Sequence, residues 1–268
     1  MGIINLTDDS YFGQSRVLTD DGRLDEAALR NRLRHMVFSG VDIIDVGACS
    51  TRPGSRPVGA DTEWRRLAAA LPIILEEAPG IPISIDTCHA VVVERAYGLM
   101  GSFIVNDISA GRMDGRMLPA VGQRDLPYIA MHMRGTPETM AALTEYKDGI
   151  IAEVKKFFQD FALKADAAGI REWYLDPGFG FAKTISQNYT LLQHLDLLQD
   201  LLRPIVVGIS RKSMIYNLLG LTPDEVLAPT QALHMAALER GASILRVHDV
   251  EDAKHTLILY KKLMDNAL

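Results

Sequence analysis

Cysteine is scarce in this chain: Cys49 and Cys88 are the only two among 268 residues. Two thiols are too few for a disulfide framework and lack the spacing of a zinc site, so we expect a cytoplasmic protein. No apolar run approaches the roughly 18 residues that a membrane helix requires. The first ten residues, MGIINLTDDS, also lack the basic flank and long apolar stretch of a signal peptide. We therefore expect no association with a membrane.

Positive charge is also lacking, since the net charge is −6 at pH 7. This balance gives no support for nucleic-acid binding, and any anion site must be built locally from a few cations. The H-E-x-x-H zinc motif and the glycine spacing of a Walker A loop are absent. What remains is the composition of a soluble globular protein with an ample core, because 48% of the residues are hydrophobic and 23% are charged.

Short apolar runs rich in β-branched residues recur along the chain. The eight runs are residues 2–6, 41–46, 82–86, 103–108, 127–133, 173–176, 204–210 and 243–248. Stretches with helical periodicity lie between most of them, such as residues 24–39, 62–77 and 149–169. This alternation predicts a parallel sheet covered by helices, and eight units indicate a (β/α)8 barrel that forms one domain over residues 1–268. The rival, a doubly wound sheet, usually has a glycine-rich turn after its first strand, and NLTDDS (residues 5–10) has no glycine.

Each apolar run ends in a functional group. These groups are Asn5, Asp45, Asp86, Asn106 with Asp107, His132, Asp176, Ser210 with Lys212, and Arg246 with His248. In a barrel enzyme the chemistry lies at the carboxyl ends of the strands, so we expect these side chains to converge. A single Asp, Asn or His could instead cap a loop or a helix, and we favour that role for Asp45 and His132.

The run I244-L-R-V-H-D-V250 alternates, with Ile244, Arg246 and His248 on one side and Leu245 and Val247 on the other. Taken alone, it is typical of a strand with one solvated face. As the eighth strand of a barrel, it would direct Arg246 and His248 toward the mouth. We expect Asp249, on the opposite side, to cap the last helix.

Three further stretches have unusual composition. In VGACSTRPG (residues 46–54), Arg52 lies in a loop beside Pro53, either solvated or binding an anion. In LDPGFGFAKT (residues 175–184), glycines allow the backbone to pass close to a ligand, and one of the two phenylalanines is expected in the core. GISRKS (residues 208–213) precedes a predicted helix at residues 214–220, where it either binds an anion or forms a basic loop with a serine cap. Together, the acids and amides suit a nitrogen-rich ring, and the cations suit phosphate.

These motifs resemble those of the dihydropteroate synthase family. The matching segments, which appear in family order, are GIINLTDDS, DIIDVGACSTRPG, ISIDT, NDISAG, MHMRGTP, DPGFGFAKT, GISRKSM and LRVHDV. The resemblance implies a (β/α)8 barrel that acts as a transferase in folate biosynthesis. Such an enzyme joins 6-hydroxymethyl-7,8-dihydropterin diphosphate to p-aminobenzoate, releasing diphosphate and 7,8-dihydropteroate. It also implies a homodimer and Mg²⁺ as the cofactor.

The resemblance assigns a role to individual residues. The pterin ring would contact Asp86, Asn106, Asp176 and Lys212. The diphosphate would contact Asn5, Arg246 and His248, with Asn5 also a ligand of Mg²⁺. The p-aminobenzoate site would comprise Thr51, Arg52, Pro53, Phe181 and Ser213. Catalysis is expected to depend on Asp86, Lys212, Arg246 and His248.

The sequence departs from the family in its first loop. TDDSYFGQS (residues 7–15) replaces a pattern closer to T-P-D-S-F-S-D-G-G, so Asp8 has no assigned role. Segments that often precede the first strand in the family are missing from this sequence. Two alternatives stay open: a pterin-dependent methyltransferase, which lacks the S-R-K-S and R-V-H motifs, and a non-catalytic paralogue that binds pterin.

Overall fold

The computed structural model describes residues 1–7, 17–19, 22–49 and 58–265 of the chain. Two groups of predicted site residues therefore lie outside the described residues. They are residues 8–15 of the first loop, and Thr51, Arg52 and Pro53 of the loop that follows the second strand.

All eight predicted strands form, each three or four residues long. They are Gly2–Asn5 (β1), Ile44–Gly47 (β2), Ile83–Asp86 (β3), Ile104–Asp107 (β4), Tyr128–Met131 (β5), Trp173–Asp176 (β6), Ile205–Val207 (β7) and Ala242–Leu245 (β8). All eight belong to one parallel sheet, in which each strand pairs with the next along the chain. Hydrogen bonds also join the two ends of this sheet. Val247 N–H donates to the Met1 carbonyl, and Ile3 N–H donates to the Val247 carbonyl, both at 2.9 Å.

Helices connect the strands. In the described part of the chain they are Glu26–Phe38 (α1), Ala60–Glu77 (α2), Ala90–Met100 (α3), Met117–Gly122 (α4), Ile150–Ala167 (α5), Ile185–Gln193 (α6), Ser213–Leu219 (α7), Leu227–Glu239 (α8) and Val250–Asp265 (α9). Short 3₁₀ helices occupy Met140–Ala142, Leu195–Leu201 and Pro223–Glu225. Local chemistry sets the helix ends: Asp25 accepts from Ala28 N–H at the start of α1, and Thr184 forms a capping box with Gln187 at α6. Among the described residues, no helix combines the length and apolar character needed to cross a membrane.

The two faces of the sheet differ because successive side chains point to opposite sides. One set, which includes Ile4, Ile85 and Leu175, is buried against the helices in the main apolar core. The opposite set forms what we call the concave face. The part of this face nearer the amino-terminal ends of the strands is a small apolar cluster, which consists of Met1, Ile129, Val206, Ile43, Ile104, Tyr174 and Ile244. Most of the polar residues predicted at the strand ends lie on this face, one step further toward the carboxyl ends: Asn5, Asp45, Asp86, Asn106, Asp176 and Arg246. Asp107 and His132 lie on the other side, where Asp107 accepts from Tyr128 Oη and His132 packs against Phe157 of α5.

Strand β8 is shorter than the alternation predicts, since it ends at Leu245. The alternation nevertheless continues beyond it. Leu245 and Val247 contact the main core, whereas Ile244 belongs to the concave cluster and Arg246 contacts acidic residues of β2 and β3. The predicted orientation of residues 244–247 is therefore confirmed.

Candidate active site

Arg246 is the centre of a buried polar network on the concave face. Its Nε donates to Asp45 Oδ2 at 2.7 Å, and its Nη2 donates to Asp86 Oδ2 at 2.8 Å. Asp45 also accepts from Ser84 Oγ at 2.7 Å and from Asn106 Nδ2 at 3.3 Å. The network therefore brings together three residues that the sequence placed in the site, namely Asp86, Asn106 and Arg246.

Asp45 does not have the capping role that the sequence favoured. Its carboxylate is fully buried, and each hydrogen bond that it accepts in the described structure comes from another side chain. The signal that could have identified it is its parity, because residues 43, 45 and 47 share the concave face with Ser84 and Asp86.

Burial changes the acid–base properties of the carboxylates. It raises the pKa of Asp86 to about 7, although the nearby Arg246 guanidinium opposes the rise. Burial also raises the pKa of Asp176, against the influence of Lys212. Burial disfavours the charge on Arg246, but Asp45 and Asp86 outweigh it and raise the pKa of that guanidinium. A ligand that brings N–H donors would stabilise the ionised forms of both carboxylates.

The Lys212 ammonium lies over the loop that follows β6. Its Nζ donates to the Phe179 carbonyl and lies 4.7 Å from the centre of the Phe181 ring. Burial lowers the pKa of Lys212 to about 8, with Asp176 acting in the opposite direction. A Cβ at Gly180 would be 3.4 Å from Lys212 Cδ, so glycine leaves room for this approach. Phe179 is fully buried in the core and Phe181 is half-buried, which confirms that one of the two phenylalanines is a packing residue.

Lys183 stabilises the same loop, although its role was not predicted from the sequence. Its buried Nζ donates to the carbonyls of Gly178 at 2.8 Å and Phe181 at 3.0 Å, and it lies 3.0 Å from His132 Nδ1. Burial moves the pKa of Lys183 and of His132 well below their usual values. His132 therefore belongs to a structural contact between β5 and the β6 loop. The available signal was a lysine inside the otherwise apolar stretch FGFAKT.

Asp176 shapes the start of this loop while facing the concave space. Its Oδ1 accepts from Gly178 N–H at 2.7 Å. Gly178 has a φ of +70°, and a Cβ there would lie 2.0 Å from the His132 carbonyl oxygen. Only glycine satisfies both conditions. Behind the loop, Phe181 packs with Cys88 against an apolar cluster of Ile108, Met131, Met133, Met140 and Ala182.

The segment after β7 contains one residue that stabilises the fold, Arg211, and two residues that were predicted in the site, Lys212 and Ser213. Arg211 donates two hydrogen bonds to Asp249, at 2.8 and 3.0 Å, and one to the Pro223 carbonyl at 2.7 Å. Asp249 does stand directly before α9, where its carbonyl accepts from Ala253 N–H at 3.1 Å, as expected of a residue at the start of the last helix, while its carboxylate pairs with Arg211. Lys212 precedes α7, and Ser213 is the first residue of that helix, one position earlier than predicted.

Asn5 and His248 belong to the first and the last strand segments, which hydrogen bonds join. Asn5 ends β1 and is half-buried. His248 has a buried Nδ1 without a hydrogen-bond partner in the described structure, while its backbone N–H donates to Ser210 Oγ at 3.2 Å. Burial and the nearby Arg246 lower the pKa of His248 to about 3, so the ring is neutral at pH 7 and offers one N–H donor.

A metal would have to share its ligands with a substrate. Within the described ranges, no group of three His, Cys, Asp or Glu residues could hold an ion. The half-buried Asn5 amide offers an oxygen, and Mg²⁺ commonly binds through one or two protein oxygens plus substrate phosphates and water. The residues present therefore fit Mg²⁺ that binds together with a phosphorylated ligand.

Comparison with known proteins identifies relatives over nearly the whole chain. The family model described as pterin binding enzyme matches residues 1–248. A dihydropteroate synthase of Neisseria meningitidis serogroup C is 37% identical over 271 residues, covering 98% of this chain and 92% of the relative. The dihydropteroate synthase of Yersinia pestis, solved with a sulfonamide drug, superimposes with a TM-score of 0.90 at 32% identity, over 98% of this chain and 93% of that one. The Thermus thermophilus enzyme, solved with 4-aminobenzoate, gives a TM-score of 0.84 at 36% identity over 98% and 93% of the two chains.

Proposed function

The chain belongs to the family of pterin-binding enzymes, and we infer from this that it is a dihydropteroate synthase. It condenses 6-hydroxymethyl-7,8-dihydropterin diphosphate with p-aminobenzoate, releasing diphosphate and 7,8-dihydropteroate in folate biosynthesis. One structural observation carries the inference. Two buried carboxylates, Asp86 and Asp176, share the concave face with Asn106, Lys212 and Arg246. Acids and an amide suit the ring, and the cations suit its charged leaving group.

We propose that Asp86, Asn106, Asp176 and Lys212 bind the pterin ring. The carboxylates accept from ring N–H and NH₂ groups, and Asn106 can both donate and accept. Burial supports this role, because it raises the pKa of both acids. N–H donors of a ligand would therefore stabilise the charged forms of the two carboxylates. Lys212, close above Phe181, adds a donor whose charge is retained below pH of about 8.

The diphosphate binds to Asn5, Arg246 and His248 in this proposal. Arg246 uses Nε and Nη2 on Asp45 and Asp86, and no hydrogen bond joins its Nη1 group to the residues described. Nη1 can therefore donate to phosphate oxygens. The unpartnered Nδ1 of His248 supports a role for that ring as a neutral donor.

The p-aminobenzoate site is proposed at Thr51, Arg52, Pro53, Phe181 and Ser213. The first three lie outside the described residues. Phe181 offers a half-buried ring face beside Lys212, and Ser213 offers a hydroxyl at the start of α7. The Arg52 guanidinium suits the carboxylate of this substrate, because its planar fork can donate two parallel hydrogen bonds.

Catalysis requires cleavage of the bond between the exocyclic CH₂ of the pterin and the diphosphate oxygen. The bonding electrons leave with the diphosphate, whose growing charge Arg246 stabilises through Nη1. Positive charge then develops on the CH₂ and the ring, where ionised Asp86 and Asp176 stabilise it in a buried site. The nitrogen of p-aminobenzoate attacks the carbon and afterwards loses a proton. No covalent bond to the enzyme forms.

We propose Mg²⁺ as the cofactor, held by the Asn5 amide oxygen together with the diphosphate. When bound, the ion neutralises charge on the leaving group. The protein's own contribution is to place Asn5 at the end of β1, opposite Gly47 of β2.

The remaining proposals concern the whole molecule. We propose that residues 1–268 form one domain, a closed (β/α)8 barrel, supported by the hydrogen bonds between Val247 and the β1 segment. We propose a homodimer, supported by exposed apolar side chains on two helices, Leu218 and Leu219 of α7 and Ile258, Leu259 and Leu263 of α9. A cytoplasmic location is supported by the low cysteine content.

The test is turnover by the purified protein. It is incubated with the pterin diphosphate, Mg²⁺ and p-aminobenzoate, and both dihydropteroate and diphosphate are measured. Production of both supports the synthase. Tight pterin binding without product indicates a non-catalytic paralogue, and methyl transfer from a methylated pterin indicates a methyltransferase. Either result would reject the proposed function.

A further inference from the structure

Asp45 is a buried carboxylate for which the reaction has no direct use. Its side chain is fully buried in β2, and four side-chain donor groups surround it. Ser84 Oγ donates at 2.7 Å, Asn106 Nδ2 at 3.3 Å and Arg246 Nε at 2.7 Å, while Arg246 Nη2 lies 2.6 Å from Oδ2. A carboxylate has about four acceptor positions. Asp45 is therefore saturated by protein and has no position left for a ligand.

Two of the three residues that supply these donors, Asn106 and Arg246, belong to the proposed substrate site. Arg246 has five N–H donors on a rigid planar group. Asp45 binds one edge of that group and Asp86 binds Nη2, so the orientation of the guanidinium is set by two acids on neighbouring strands. Without Asp45, Arg246 would be free to pair fully with Asp86. That pairing would occupy the carboxylate that the pterin ring needs.

We propose that Asp45 is a positioning residue that divides Arg246 between two acids, so that Asp86 stays available to the pterin ring and Nη1 to the diphosphate. Through Asn106, the same carboxylate orients a second pterin-binding side chain. Ser84 in turn holds Asp45. This inference rests on the proposed function for the identity of the ligand.

The electrostatics agree with the geometry. Burial raises the pKa of Asp86, Arg246 lowers it, and Asp45 raises it. The other titratable groups that face Asp86 are Glu63 of α2, Asp107 of β4, Lys212 after β7, and the thiols of Cys49 and Cys88. Removal of the Asp45 charge therefore takes away one raising influence and leaves Arg246 to act on Asp86 alone. Both changes lower the pKa of Asp86.

The test is Asp45→Asn, measured as the pH dependence of pterin diphosphate binding by calorimetry, which needs no turnover. Asparagine keeps the size of the side chain and can accept from Arg246 while donating to Ser84 Oγ. We expect the affinity at pH 8 to fall roughly tenfold, since a charge-assisted bond is lost. We also expect the acid limb of the binding profile, which is the pH range in which affinity falls as Asp86 is protonated, to move down by about one pH unit. In turnover, the KM for pterin diphosphate should rise while the KM for p-aminobenzoate stays the same.

The control is Asp114→Asn, which removes an equal charge from a carboxylate that binds Ala90 N–H and Arg116. We expect it to leave the acid limb unmoved. If folded Asp45→Asn has an unmoved acid limb, Asp45 is merely structural and the proposal is overturned. Should Asp45→Asn fail to fold, Ser84→Ala tests the proposal instead. We expect this variant to bind pterin diphosphate roughly threefold more weakly. An unchanged affinity would overturn the proposal. A wild-type protein that binds the pterin but gives no dihydropteroate would reject the synthase function without touching this inference.

Discussion

At the scale of single residues, the site consists of charges that are partly compensated. Arg246 lies between two acids, and Lys212 lies close to Asp176. The pKa of Asp86, about 7, and that of Lys212, about 8, lie close to neutrality because burial disfavours both charged forms. Substrate binding is therefore expected to depend on pH in the range where the enzyme works.

The first prediction concerns Arg246→Ala. The substitution removes the charge-assisted donor that we propose for the diphosphate, so binding of the pterin diphosphate should weaken by about 2–3 kcal/mol. Titration calorimetry measures the change, and the same titration with the unphosphorylated pterin separates the diphosphate contribution. Arg171→Ala, at an exposed arginine, is the control and should bind normally. Unchanged diphosphate affinity in Arg246→Ala would remove Arg246 from the site.

The second prediction is a bell-shaped profile of kcat/KM for pterin diphosphate. Asp86 must be ionised, so activity falls as the pH drops below about 7; Lys212 must be protonated, so activity falls as the pH rises above about 8. Lys212→Arg keeps the positive charge at high pH, and we expect it to move the basic limb upward. A basic limb that is identical in this variant would show that Lys212 is not the titrating group.

Among the elements of the site, the loop after β6 has a conformation that depends on the backbone of one residue, Gly178. Gly178 has a positive φ, Asp176 accepts from its N–H, and Lys183 donates to its carbonyl. Gly178 is therefore in contact with Asp176, with the backbone N–H of Phe181, which donates to its carbonyl at 3.1 Å, and with the His132 carbonyl just after β5.

The third prediction is that Gly178→Ala destabilises the protein much more than Gly80→Ala. Both glycines have a positive φ, +70° and +78°, so the left-handed strain is matched. The Cβ at position 178 would lie 2.0 Å from the His132 carbonyl oxygen, whereas nothing lies within 4 Å of the Cβ at position 80. We expect a difference of at least about 2 kcal/mol in the free energy of unfolding. Chemical denaturation measures it, and equal stabilities would show that the loop relaxes without cost.

The elements themselves were largely predictable. The apolar runs identified all eight strands, and their polar ends identified Asp86, Asn106, Asp176 and Arg246. The periodicity also predicted the orientation of residues 244–247. Contacts between distant residues could not be read from the pattern. Asp45 was expected to cap a loop or a helix because Asp often does so, but its partner Arg246 is 201 residues away. Asp249 does precede the last helix, but the partner of its carboxylate, Arg211, is 38 residues away. Lys183 was missed because its partners, which are backbone carbonyls and the distant His132 ring, cannot be read from the residues around it; only its place in an apolar stretch was a signal.

At the scale of the whole molecule, the parallel order of the strands brings all the polar strand ends to one edge. The sheet thereby collects acids from β3 and β6, an amide from β4 and cations that follow β7 and β8. Its relatives in Yersinia pestis and Thermus thermophilus, solved with a sulfonamide drug and with 4-aminobenzoate, superimpose along 98% of this chain. The side chains that we propose for the two substrates are neighbours at this edge, since Lys212 Nζ lies 4.7 Å from the centre of the Phe181 ring.

The fourth prediction follows from this arrangement. A sulfonamide that mimics p-aminobenzoate should raise the apparent KM for p-aminobenzoate and leave kcat unchanged, because the two compete for the site beside Phe181. Initial rates at several inhibitor concentrations provide the measurement. Inhibition that lowers kcat at saturating p-aminobenzoate would place the drug elsewhere.

If the concave face carries out the synthase reaction, loss of the buried Asp176 charge should slow that reaction strongly, and Asp176→Asn measures this effect. The asparagine can still accept from Gly178 N–H, so the loop is preserved while the buried charge is lost. We predict that the wild-type protein releases diphosphate and forms dihydropteroate in equal amounts, and that the rate falls at least about 100-fold in Asp176→Asn. Asp200→Asn, on the exposed surface, should retain the wild-type rate. A wild-type rate in folded Asp176→Asn would show that the concave face does not carry out the reaction.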